Sequence, residues 1–115
     1  MRIRTDIFVS ALTRRVFSAG GFAAVEQKGA EEAGAIFVRQ RFRDRTETLY
    51  GPAPQNFFEE EQKATERRFE KRLDRVEPDQ VADQLAREKR FDSDLWVVEL
   101  VTDEIGDLFT VVEAG

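Results

Sequence analysis

The apolar positions of the chain follow two spacings, one typical of helices and one typical of strands. Residues 5–19 carry apolar side chains at every third or fourth position, with Leu12 and Val16 on one face, which predicts an amphipathic helix. Residues 77–90 repeat this spacing after Pro78, a residue suited to the first helical position. We therefore predict two helices, one near each end of the chain.

Segments rich in β-branched and aromatic residues lie between these helices. Residues 22–28 and 35–43 flank a stretch of turn-forming residues, which predicts a β-hairpin. Residues 46–50 predict a third strand, because Gly51 and Pro52 follow it.

The segment that precedes the second helix mixes two signals. It begins with strong helix formers and an acidic run, and it ends with alternating apolar and polar residues. We predict a mobile acidic loop over residues 56–66 or a short helix there, followed by a strand near residues 67–74; the sequence leaves open whether residues 57–76 are helix or strand.

The most apolar run of the chain covers residues 95–101 and is apolar on both alternating faces apart from Glu99. This pattern is typical of a central strand that is covered twice. The order of elements predicts one α+β domain over residues 1–115, a mainly antiparallel sheet of four to five strands with two helices on one face. Apolar groups would remain on the helix-free face, so we expect a second copy to cover it in a homodimer.

Composition excludes several kinds of active site. The 115 residues include no histidine and no cysteine, so triads built on histidine, cysteine dyads and Cys/His zinc sites are ruled out. The compact acidic groups, at 92–94 and 103–107, do not match a calcium loop. We expect neither a metal nor a cofactor. No apolar run approaches the roughly 18 residues of a membrane span, so we expect a cytoplasmic protein without membrane contact.

Two charged residues lie on faces that are otherwise apolar. Arg15 falls on the apolar side of the first predicted helix, and Glu99 shares a strand face with Val97 and Val101. An isolated buried charge is too costly to retain. Arg15 must therefore reach solvent, pair with a carboxylate such as Glu99, or bind an anion, and in a cleft Glu99 would be a candidate acid or base.

Other charged groups have both a structural and a functional interpretation. Arg39, Arg41 and Arg43 alternate on one strand face and could contact phosphates, but the net charge of −5 and the interleaved acids favour a solvated surface. Nucleic-acid binding is therefore disfavoured. A second group of residues resembles a binding loop and consists of Asp92, Asp94 and Trp96. The two aspartates of this group are, however, also ordinary turn formers.

Three stretches together resemble a known family. They are Arg14-Arg15 leading to Gly20-Gly21-Phe22-Ala23, the turn Leu49-Tyr50-Gly51-Pro52-Ala53, and Arg90-Phe91-Asp92-Ser93-Asp94-Leu95-Trp96-Val97-Val98-Glu99. The family consists of short bacterial, largely alphaproteobacterial, proteins catalogued as domain of unknown function fourteen-ninety-one. The resemblance spans residues 4–101 and implies a bacterial, cytoplasmic protein of one domain. It implies no activity, cofactor or catalytic residue.

The leading functional hypothesis is a small interaction or structural module, homodimeric and without chemistry of its own, that is also able to bind another protein. One alternative is an anionic-ligand-binding or enzymatic domain that uses Arg15 and Glu99. The other alternative is nucleic-acid binding through the three alternating arginines.

Overall fold

The computed structural model describes residues 3–54 and 67–113. The loop expected over residues 56–66 lies outside them. The described elements are α1 (Thr5–Ser18), β1 (Phe22–Gln27), β2 (Ile36–Arg41), β3 (Glu47–Pro52), β4 (Arg68–Val76), α2 (Pro78–Phe91), β5 (Trp96–Val101) and β6 (Thr110–Val112). Neither of these helices is long and apolar enough to cross a bilayer.

Local sequence accounts for the start of α2 and for the end of α1. At α2, the Glu77 side chain accepts from the backbone of Gln80, whose side chain in turn accepts from the Glu77 amide. This capping box satisfies two amides that the helix itself leaves free. Helix α1 ends before Gly20, which has a φ of 88°, a conformation that glycine adopts without steric cost.

The strands form one sheet in the order β1-β5-β2-β3-β4-β6. Neighbouring strands are antiparallel except for the pairs β5 with β2 and β4 with β6, which are parallel. The predicted hairpin of residues 22–28 and 35–43 is wrong, because β5 lies between β1 and β2. β5 carries apolar side chains on both faces, and an interior position in the sheet buries both of them. The free energy gained by this burial outweighs the advantage that proximity in sequence gives to a hairpin of β1 and β2.

The two helices cover opposite faces of the sheet. Val9, Leu12 and Val16 of α1 share one core cluster with Val38 and Val98. The other cluster joins α2 to the opposite faces of the strands and contains Phe37, Leu49, Val81, Leu85, Leu95 and Val97. The α+β class and the doubly covered central strand are confirmed, but both helices on one face and a count of four to five strands are wrong. Successive residues of β5 are equally apolar, so each face of that strand can receive a helix.

A segment without regular structure completes the cover on the α1 face. Residues 102–109 connect β5 to β6, and the two strands lie at different places in the sheet. Leu108 and Phe109 from this connection are buried in the α1 cluster beside Tyr50 and Phe69. We call residues 102–109 the crossover segment.

Candidate functional site

The parallel strands β2 and β5 terminate at the same end of the sheet. Arg41 and Val101 are partners at the ends of β2 and β5, and the turn 42–46 and the crossover segment begin just beyond them. In sheets with parallel strands, ligand sites are usually built by the loops at the carboxyl ends. The carboxyl end of β2 and β5 is therefore the first place to look for a ligand site.

A cleft of about 490 Å³ opens there, between the crossover segment and the α1 face of strands β2, β3 and β4. We call it the Tyr50 cleft. Its lining residues are Gln40, Phe42, Thr48, Tyr50, Lys71, Asp74, Arg75, Asp103, Ile105, Gly106, Phe109 and Val111. Its volume falls in the range of about 300–1,000 Å³ that is common for small-molecule sites.

The floor of the Tyr50 cleft is a buried pair of polar side chains. The Tyr50 hydroxyl donates to Oε1 of Gln40 at 2.9 Å, and Nε2 of Gln40 donates to the carbonyl oxygen of Thr102, also at 2.9 Å. Burial raises the pKa of the Tyr50 hydroxyl above its ordinary value, since the charged phenolate would lose its hydration. The floor thus presents a neutral phenol and a fixed amide.

The rim carries exposed charges of both signs. Arg75 has a φ of 54°, unusual for a residue with a side chain, and its guanidinium carbon lies 3.5 Å from the centre of the Phe42 ring. Arg75 also lies 3.5 Å from the carboxylate of Asp44, and Lys71 lies 3.7 Å from that of Asp74. Both ion pairs are half-exposed or more, so each contributes little to stability.

The α2 face carries an ionic network beside a smaller cleft of about 300 Å³, which Arg39, Arg41 and Glu47 help to line. Glu47 is 4% exposed and lies 2.6 Å from Nε of Arg39 and 3.2 Å from Nε of Arg41. Arg39 also contacts Glu26, and Arg41 contacts Glu99. Sequence reasoning missed Glu47, although Glu47 shares a strand face with the buried Leu49, just as Glu99 shares a strand face with Val97.

The ionic network bears on the predicted phosphate contacts of Arg39, Arg41 and Arg43. Arg39 and Arg41 are paired with three carboxylates, those of Glu26, Glu47 and Glu99, so their charges are already balanced and have little left to attract phosphates. Arg43 is exposed at the turn between β2 and β3 and is separate from the network.

Arg15 and Glu99 are not brought together. Arg15 is exposed and its Nη2 donates to the backbone oxygen of Asp107, so it reaches the surface and ties the crossover segment to α1. Glu99 belongs to the α2 face, where it pairs with Arg41. Of the three alternatives for Arg15, the structure shows the one in which the side chain reaches solvent, and it does not pair with Glu99, which lies on the opposite side of the sheet.

The other predicted ligand residues have local partners. The Asp94 amide donates to Oδ1 of Asp92 at 2.9 Å, which makes the turn before β5. The Trp96 indole donates to the carbonyl oxygen of Ala30 at 2.8 Å and fastens the loop before β2. Within the described ranges, no group of acidic side chains is arranged to hold a metal ion.

A second surface feature lies at the β1 margin of the sheet. Phe17 and Phe22 are about half exposed and meet edge to face, with ring centres 5.7 Å apart. Val101, the register partner of Phe22, and Val25 are each 43% exposed. Val25 points to the opposite face of β1 from Phe22, so these side chains flank the outer edge of the strand on both faces. We call Phe17, Phe22, Val25 and Val101 the β1 patch.

Comparison with known proteins gives the family. Residues 3–110 match the model described as protein of unknown function DUF1491. A protein from A. tumefaciens, known from a solution structure, is 65% identical with a TM-score of 0.87, and the alignment covers 100% of this chain and 98% of that one.

A DUF1491 family protein from Caulobacter crescentus is 30% identical in its crystal structure and in its NMR structure, each with a TM-score of 0.77. Those alignments cover 100% of this chain and 100% and 99% of the respective structures. A search of curated proteins found no match. The match to the family model and to these structures shows that the chain belongs to the DUF1491 family.

Proposed function

We propose that the protein is an interaction module of the bacterial cytoplasm, without chemistry of its own, and that it associates with a second copy through the β1 patch and the free edge of β1. The supporting observation is the half-exposed pair Phe17 and Phe22. Two aromatic rings in contact with each other and with water are costly to leave uncovered, and such patches commonly mark interfaces.

The edge of β1 provides the second part of this interface. β1 is the last strand on its side of the sheet, and no strand of the described chain covers its outer edge. Free edges are usually protected by charges or proline, but Phe22–Val25 contains neither. A register shift after Val25 limits the regular edge to these four positions.

A second copy is a suitable occupant because like charges do not meet. Glu26, the charged residue that follows Val25 in sequence, is 28% exposed in its side chain and lies 3.4 Å from Arg39 of its own chain. An antiparallel pairing of two β1 strands about a twofold axis would therefore join apolar segments and continue the sheet. This basis replaces the uncovered sheet face expected from the sequence, since helices lie on both faces.

Sedimentation velocity across a micromolar concentration series tests the association. We expect a dimer that dissociates on dilution, and we expect Phe22→Ser to shift the equilibrium to monomer because it removes the central ring of the β1 patch. Phe91→Ser is the matched control, since Phe91 is 90% exposed at the end of α2 and outside the patch. A monomeric wild type at high micromolar concentration, or equal effects of both variants, would contradict the proposal.

A further inference from the structure

We infer that the Tyr50 cleft binds a small zwitterion of amino-acid type, with its apolar group against the aromatic walls and its two charged groups on opposite charges of the rim. The inference is independent of self-association through the β1 patch. Three properties of the cleft carry it: the walls, the charge balance of the rim and the polar floor.

The walls supply apolar contact from two separate elements. Phe42 projects from the end of β2, and Ile105 and Phe109 come from the crossover segment. The Phe42 ring is backed by the Arg75 guanidinium at 3.5 Å, which holds the ring in place. An apolar or aromatic side chain of a ligand can therefore be enclosed between the sheet and the crossover segment.

The rim selects for a ligand that carries both charges. Lys71 and Arg75 contribute two cations, and Asp74 and Asp103 contribute two carboxylates. A simple anion or cation would meet as much repulsion as attraction, whereas a zwitterion can place each group beside its opposite. Lys71 and Arg75 hold their present carboxylates only by long, exposed contacts, which a ligand carboxylate can replace. Asp103 has no ion pair with the described residues and is the natural partner of an ammonium group.

The floor adds a hydrogen-bonding group at depth. Tyr50 and Gln40 belong to the α1 face, where their neighbours Val38 and Phe69 are apolar and buried. Two apolar side chains would fill this position without the desolvation cost of an amide and a hydroxyl. Because the Tyr50 hydroxyl gives its hydrogen to Gln40, its oxygen still has lone pairs with which to accept from a ligand N–H.

Titration of the ¹⁵N-labelled protein, followed by amide chemical shifts, tests the inference with three probes. They are L-phenylalanine, phenylacetate, which lacks the ammonium group, and phenethylamine, which lacks the carboxylate. We expect L-phenylalanine to shift amides around residues 40–42, 71–75 and 103–109. Each truncated probe should bind about tenfold more weakly, since one charge-assisted contact is worth roughly 1.4 kcal/mol at this scale.

Two variants assign the charged groups. Lys71→Gln should weaken the binding of L-phenylalanine and phenylacetate but leave that of phenethylamine unchanged. Asp103→Asn should weaken the binding of L-phenylalanine and phenethylamine but leave that of phenylacetate unchanged. Arg87→Gln is the control, because Arg87 is exposed on α2 and donates only to Gln84 among the described side chains.

Three results would overturn the inference. They are a flat titration with all three probes at tens of millimolar, equal affinity for all three, and shifts confined to residues outside the cleft. Circular dichroism of each variant confirms that the fold is retained, so that a loss of binding can be separated from unfolding.

Discussion

The two faces of the sheet are shielded from water by different kinds of structure. On one face, α2 packs over Phe37, Leu49 and Val97, and the remaining surface is occupied by ion pairs around Glu47. On the other face, α1 covers part of the sheet and the irregular crossover segment covers the rest. The second arrangement leaves the larger of the two clefts, about 490 Å³ against about 300 Å³, and its floor is the neutral pair of Tyr50 and Gln40 instead of paired charges. The irregular segment therefore leaves more space beside the sheet for a ligand than the regular helix does.

The largest effect should come from the apolar core beneath the crossover segment. Phe69 is 2% exposed and packs against Phe8 and Phe109. Phe69→Ala should lower the free energy of unfolding by about 3 to 5 kcal/mol, because the cavity cannot fully collapse. Urea denaturation measures it, and a loss of under 1 kcal/mol would show that the irregular cover packs loosely, unlike a core.

The ionic network on the α2 face should come second. Glu47→Gln leaves the largely buried Arg39 without its closest carboxylate and should cost about 3 kcal/mol. Glu99→Gln is the matched control, since Glu99 makes a longer contact to the half-exposed Arg41, and its loss should cost under about 1 kcal/mol. If the two variants lose equal stability by urea denaturation, the network is not centred on Glu47.

The polar floor of the α1 face should give a smaller and pH-dependent effect. Tyr50→Phe leaves Oε1 of Gln40 without its donor and should cost about 1 to 2 kcal/mol at neutral pH. Because the folded state raises the pKa of Tyr50, its contribution is complete below the unfolded value of about 10 and is lost as the pH rises through the folded value.

Wild type should therefore lose stability above about pH 10 more steeply than Tyr50→Phe does. Chemical denaturation of both proteins at a series of alkaline pH values measures the difference. Parallel curves would show that Tyr50 titrates as it does in water.

The smallest effect should come from the bond that ties the crossover segment to α1. Arg15→Gln removes an exposed hydrogen bond to Asp107 and should cost about 0.5 kcal/mol globally. Hydrogen exchange of residues 102–109 should nevertheless speed up, since a short irregular segment opens locally. Arg14→Gln, an exposed neighbour on the same helix, should leave that exchange unchanged.

Periodicity predicts the helices and the central strand of this fold because it is a local property. The spacing of Leu12 and Val16 and the proline at position 78 are sufficient for α1 and α2. Strand order depends on contacts distant in sequence, so the hairpin of β1 and β2 was the natural expectation and β5 between them was not. Similarly, no local pattern distinguishes the face of β5 that contains Val97 from the face that contains Val98.

The candidate site was less predictable than the fold. Arg39 and Arg41 stand out in the sequence as charges on a strand, but no sequence pattern singled out their common partner Glu47 on the neighbouring strand β3. A polar residue at position 40, after Ile36 and Val38 on the same face, was a usable sign of the Tyr50 cleft. The backbone conformation of Arg75 has no sign in the sequence, since glycine would be expected there.

The position of β5 has a consequence for how the molecule is made. During synthesis β1 and β2 leave the ribosome well before residues 96–101, so until most of the chain exists β1 has no neighbouring strand and β2 has only β3. Contacts between residues 22–27 and 97–101 also span most of the sequence, which raises contact order and slows folding. The nascent chain must therefore avoid pairing β1 directly with β2 until β5 has been synthesised and inserts between them.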